Sequence, residues 1–180
     1  MKIYQLNLDV NNYLGCFVEE TTLTKKDFRE INRARELSFN DGCITLKYAD
    51  DDKLKLGDVL RCWNFIGFII KDRAYKLFSN NPKLKAQYIK FQDDFILLNN
   101  LLVIDALDNE KTEFEYFEDD IIGVEKYAFK QLDYPPLFQT SRLDGLVDMD
   151  YFVTEEFIQF VNDNNIEGFL FKEVWDSEVQ

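Results

Sequence analysis

No histidine occurs among the 180 residues. Without an imidazole there is no Ser-His or Cys-His activation of a nucleophile and no His-ligated metal. Cysteine is scarce: Cys16, Cys43 and Cys62 lie far apart, form no Cys-x-x-Cys and are odd in number. That usage predicts reduced, partly buried thiols of a cytosolic protein, and it lacks the ligands of a usual zinc site. Three prolines and seven glycines leave little material for a linker or a fibrous repeat. Neither Gly-x-Gly-x-x-Gly nor a Walker-type loop is present, so no phosphate cradle is indicated. Apolar runs are short. The stretch from Phe65 to Ile70 falls far below the roughly 20 residues that span a bilayer. The opening, Met1 to Asp9, alternates instead of forming the apolar run of a signal peptide. A soluble, cytoplasmic protein is expected, with no membrane association and no cofactor.

What is abundant is apolar side chain and negative charge. Hydrophobic residues make up 46%, with 17 Phe, 9 Tyr and 2 Trp. A chain of this size and composition can bury a core, which excludes wholesale disorder and fits one domain over residues 1–180. The net charge of −13 is unevenly spread. Up to Lys90 there are 16 bases and 12 acids, net +4; beyond it there are 5 bases and 22 acids, net −17. Asp105 to Glu125 is denser still, with nine acids against Lys111 alone. Such a segment repels polyanions, so nucleic-acid binding by it is not expected. It attracts a basic partner and speeds encounter with it. The competing reading is a solvated face that keeps the protein in solution.

Hydrophobic spacing predicts an α+β fold: a mostly antiparallel sheet with a few short helices packed on it. Ile3, Leu6 and Leu8 open a strand. Thr24 caps a helix reaching about Leu37, with Asp27 three residues on in capping-box style and Phe28, Ile31 and Ala34 on one face. Asn40-Asp41-Gly42 reads as a turn, Cys43 to Tyr48 as a strand, and Asp50-Asp51-Asp52 as a polar loop. An internal echo follows. Phe68-Ile69-Ile70 is a strand, Asp72 a cap, Ala74, Leu77 and Phe78 a helix face, Asn80-Asn81-Pro82 a stop, and Gln87 to Phe91 a strand. Tyr151-Phe152-Val153, Thr154, the face Phe157, Phe160 and Val161, Asn162 to Asn165, and Gly168 to Trp175 repeat that order. A true duplication implies two equivalent layers sharing one sheet. Between them, Phe95 to Leu107 reads as a buried strand pair or a strand and a turn. Thr112 to Tyr116 reads as a half-buried strand with Glu113 and Glu115 outward and Phe114 and Tyr116 inward. Ile121 to Phe129 reads as another strand, Pro135-Pro136 as a loop. Trp175 is expected to be buried and to tie the last strand into the sheet, whereas Trp63 has no assignment.

Carboxylates are the only candidates for catalysis. Asp144, Asp148 and Asp150 have the donor chemistry for Mg²⁺ or Ca²⁺, but their spacing matches no Ca²⁺ loop, and turn aspartates give the same pattern. Asp105 and Asp108 are a candidate acid–base pair, or the start and cap of a turn. Arg142 near Asp144 reads as an ion pair or a lone surface base. Tyr116 and Phe117 are interface anchors or core, and core is expected for whichever faces inward.

The second half carries a resemblance. Phe95-Ile96-Leu97-Leu98-Asn99, Val103-Ile104-Asp105-Ala106-Leu107-Asp108 and Glu110-Lys111-Thr112 resemble a bacterial immunity-protein family, family eleven of the polymorphic toxin systems. So do Phe152-Val153-Thr154-Glu155-Glu156-Phe157 and the close Ile166-Glu167-Gly168-Phe169-Leu170-Phe171-Lys172-Glu173-Val174-Trp175. The likeness covers Tyr88 to Gln180; residues 1–87 are less distinctive. Family members often carry a hydrophobic-Phe-Arg motif near Leu137-Phe138; here Gln139 follows Phe138 and the arginine is Arg142. The resemblance brings no catalytic residues. It implies a non-catalytic protein that binds and neutralises a cognate toxin. Joined to the charge pattern, it points to a toxin with a basic surface and to Glu113, Glu115, Glu118, Asp119 and Asp120 as the partner-binding residues. The alternatives are a carboxylate-based hydrolase, with or without a metal, and a protein-interaction scaffold unrelated to toxins.

Overall fold

A computed structural model describes residues 1–39, 44–48, 53–62, 67–91 and 95–179. Asn40-Asp41-Gly42, Cys43, Asp50-Asp51-Asp52, Trp63, Phe65 and Ile66 lie outside them. The fold is α+β and mostly antiparallel. One sheet has six strands in the order β3-β2-β4-β5-β7-β6, where β2 is Gly15–Thr21, β3 Ile44–Tyr48, β4 Val59–Cys62, β5 Phe68–Lys71, β6 Ala86–Lys90 and β7 Phe95–Asn100. A second has five, β13-β1-β12-β11-β8, with β1 Lys2–Leu8, β8 Val103–Ile104, β11 Leu137–Thr140, β12 Tyr151–Thr154 and β13 Phe169–Asp176. A two-stranded ribbon joins β9, Glu113–Phe117, to β10, Asp120–Lys126. Parallel pairing occurs between β2 and β4 and between β8 and β11.

The internal echo is real as topology, but its two copies do not share a sheet. β5, helix α2 (Asp72–Ser79) and β6 flank β7, antiparallel to both strands. β12, helix α3 (Glu155–Asp163) and β13 flank β1 in the same way. Each copy therefore splits a strand-helix-strand unit around a third strand, and each has its own sheet. The single shared sheet expected from the sequence is overturned. β7 follows its unit directly, whereas β1 comes from the other end of the sequence, so local spacing could not reveal the second insertion.

Alternating side chains of the central strands serve two cores. Leu6, Phe68, Ile70, Ile96, Leu98, Tyr151 and Val153 meet Ala74 and Phe78 of α2 and Phe157 and Val161 of α3 in the main core between the sheets. The Phe78 and Phe157 rings lie 6.0 Å apart. On the far face of the five-stranded sheet Ile3, Phe138, Phe152 and Trp175 pack under Leu107, Tyr127, Phe129 and Tyr134. Trp175 is buried as expected, edge-on to Phe129 at 5.9 Å. β7 is covered on both faces, so all six of its residues are buried and Phe95 to Leu98 reads as an unbroken apolar run, with the buried Asn99 and Asn100 at its end.

Three local expectations change. Helix α1 (Lys25–Ile31) has its capping box, Thr24 with Asp27, yet it stops well short of Leu37. Ala34 takes φ +51°, and the chain turns so that Leu37 exchanges hydrogen bonds with the Gln87 side chain. Tertiary pairing thus overrides continued helix. Asp72 is the first helical residue of α2, not its cap, and Lys71 occupies the cap position without a side-chain bond. Thr154 does precede α3, also without a side-chain bond. Cys16 and Cys62 are buried and lie opposite one another across β2 and β4.

Candidate partner-binding site

The ribbon β9–β10 grows out of the layer covering the far face of the five-stranded sheet. Its root is fixed by backbone bonds Asp108 N–H to Ala128 O, 2.9 Å, and Lys130 N–H to Ala106 O, 2.9 Å, and by the Thr112 hydroxyl donating to Ala128 O at 3.1 Å. Phe114 and Val124, opposite each other in register, pack against the core of Phe138, Phe152 and Trp175. Two pairs further out, beyond Glu115 and Gly123, Tyr116 lies opposite Ile121. Phe117 and Asp120 close a two-residue tip, Glu118-Asp119.

Beyond Phe114 the ribbon runs past the core. Tyr116 shares the inward face of Phe114 by strand periodicity, yet it is 53% exposed. Its expected place in the core is corrected: the supporting sheet ends before the strand does. Phe117 is 65% exposed and Ile122 53%. The sequence reading missed Ile122, whose exposure follows from a bulge between Ile121 and Gly123 that strict alternation does not show.

All five acids expected at the interface lie on this ribbon and are exposed. Glu113 is held by Lys126 across the strands at 3.2 Å. Among the described residues Glu115, Glu118, Asp119 and Asp120 have no ion pair, and neither has Glu125. Among the described residues the tip therefore combines negative charge that no cation pairs with and exposed apolar side chains.

The other acids are occupied differently. Asp105 pairs with Lys130 at 2.7 Å and Asp108 with Lys111 at 3.1 Å. Asp108 also accepts the Glu110 N–H, so it caps a turn, and the lysine holds its carboxyl below the ordinary range. Arg142 and Asp144 form an ion pair that lowers the Asp144 carboxyl likewise. Asp144 is thereby drawn away from Asp148 and Asp150, which meet instead at the Tyr127 hydroxyl. No group of three Asp, Glu or Cys able to hold a metal ion is found among the described residues. Two clefts lie beside the ribbon's root. One, of about 300 Å³, is lined by Gln5, Tyr127, Asp150 and Lys172 among others; the second, of about 770 Å³, has Trp175 and Ala128 in its wall. No helix among the described residues is long and apolar enough to cross a membrane.

Compared with known protein families the chain matches no family model, and compared with curated proteins it matches none.

Proposed function

We propose that the chain is a non-catalytic immunity protein that binds and neutralises a cognate bacterial toxin, with the β9–β10 ribbon as its main contact. The observation that carries this reading is the overhanging tip, where Tyr116, Phe117 and Ile122 stand exposed among Glu115, Glu118, Asp119 and Asp120. Aromatic anchors fill pockets on a partner, while unpaired charge of one sign selects and steers a partner of the opposite sign. A ribbon shaped this way fits a toxin whose functional groove is basic, and its seating there blocks the groove sterically and by charge. The resemblance of Tyr88 to Gln180 to immunity-protein family eleven supports the same reading.

The test is to identify the genes that flank the one for this chain and to co-express the chain with any toxin-like product among them. Growth rescue together with co-purification is expected. Rescue that requires turnover of a small substrate, and is lost on changing one aspartate without loss of co-purification, favours the carboxylate hydrolase instead.

A further inference from the structure

The root of the ribbon contains a hydrogen-bonded chain of three acidic groups. Tyr127 directly follows β10, and its hydroxyl lies 2.6 Å from Asp150 Oδ2 and 3.3 Å from Asp148 Oδ2. Asp150 Oδ2 also accepts from Gln5 Nε2 at 2.7 Å, and Asp148 Oδ1 accepts the Asp150 backbone N–H at 3.1 Å. A phenol has one proton to give. At 2.6 Å that proton belongs to the bond with Asp150. Asp148 then completes the chain only by carrying a proton of its own and donating it to the phenol oxygen. Were both carboxyl groups ionised, the buried Asp148 carboxylate would face an oxygen lone pair, with a second negative charge two residues away.

We propose that one proton on Asp148 fastens the root of the acidic ribbon to the five-stranded sheet, making the ribbon's attachment sensitive to pH. The proton closes the relay Asp148–Tyr127–Asp150–Gln5, which links the end of β10 to the loop before β12 and to β1. Its loss opens the relay at the Asp148–Tyr127 link. The groups facing Asp148 are few. Burial disfavours its charged form most strongly, and Asp150 adds to this. The Asp150 backbone N–H, Arg142 and the Tyr127 hydroxyl act the other way, and the Arg142 guanidinium is already engaged by Asp144. Gln139 donates to the Asp148 backbone carbonyl, leaving the carboxyl itself alone. The balance holds the carboxyl above its ordinary value of 3.8.

The sign follows from linkage. The closed root binds a proton that the opened root releases, so opening becomes easier as pH rises between the ordinary and the raised value, and levels off above it. The fastening does not depend on the toxin reading; its consequence, slower docking by a loosened ribbon at higher pH, does. The test therefore uses the free, full-length protein. Carboxyl ¹³C NMR of Asp148 and amide exchange of the β9–β10 ribbon, corrected for intrinsic rate, are followed from about pH 4 to about pH 8. The opening constant should rise by up to about tenfold per pH unit through the window and then flatten. In Asp148→Asn the amide Nδ2 donates permanently to Tyr127 while Oδ1 keeps the Asp150 N–H, so the ribbon should stay fastened with no slope. An Asp148 that titrates at its ordinary value, a flat wild-type profile, or a D148N profile retaining the wild-type slope would each overturn the proposal.

Discussion

Glu118, at the tip of the ribbon, holds φ +54°, a conformation that strains a residue with a Cβ and suits glycine. Glu118→Gly should therefore leave the ribbon as stable or raise its stability by up to about 1 kcal/mol, read by thermal melting. If the ribbon is the contact of the proposed toxin complex, it should nevertheless weaken that association, because it removes an unpaired charge. An acid whose only role is solubility would not separate those two readouts. Gly168 is the opposite case. At φ +114°, a Cβ there would stand 2.5 Å from the Val59 carbonyl oxygen. Gly168→Ala should cost about 2–4 kcal/mol in urea unfolding, since neither backbone can yield: Glu167 O accepts the N–H groups of Asp58 and Val59 at this junction. Individual residues were legible in the sequence where their partners lie close in the chain. The capping box of Thr24 and Asp27 spans three residues. Tyr127 meets Asp148 across 21 residues and Asp150 across 23, and nothing in the spacing of a tyrosine and two aspartates announces that contact.

Elements followed the same division. Strands β1, β5 and β12 and helices α2 and α3 were readable because each carries its own apolar period and its own stop. β2, β4 and β11 were not. β2 has five exposed or half-exposed residues in a row from Phe17, and β4 and β11, four residues each, lack the helix that follows β5 and β12 at once and marks where those end. The ribbon's charge was legible, whereas its overhang was not, because alternation places Tyr116 on the inner face without saying where the inner support ends. The two helices hold the sheets together through aromatic side chains. Phe157 touches the rings of Phe78, Phe160, Phe169 and Phe171. Phe157→Ala should lower stability by about 3–5 kcal/mol, measured by denaturant midpoint at constant m-value. A loss below about 1 kcal/mol would mean that the core between the sheets is not where the fold is held.

At the scale of the molecule, the two split units are joined by a polar contact as well as by the core. Arg73 of α2 pairs with Asp58 and donates to the carbonyls of Asn164 and Asn165 at the end of α3. Asp58 in turn accepts the Glu167 N–H. This junction ties one sheet to the other, and the ribbon rises from the layer on the outer face of the second sheet. The basic N-terminal half, net +4, and the acidic remainder, net −17, are thus folded into one body whose unpaired acids include a run at the ribbon tip. The account stands on that tip seating in a basic groove. Its most direct test is the association rate with the co-expressed toxin candidate across a salt series, for the wild type and for Glu118→Lys, Asp119→Lys and Asp120→Lys combined. The wild type should associate fast and slow steeply with added salt, and the triple variant should associate slowly with a shallower dependence while melting at a similar temperature. Equal rates and equal salt slopes for the two proteins would contradict the account.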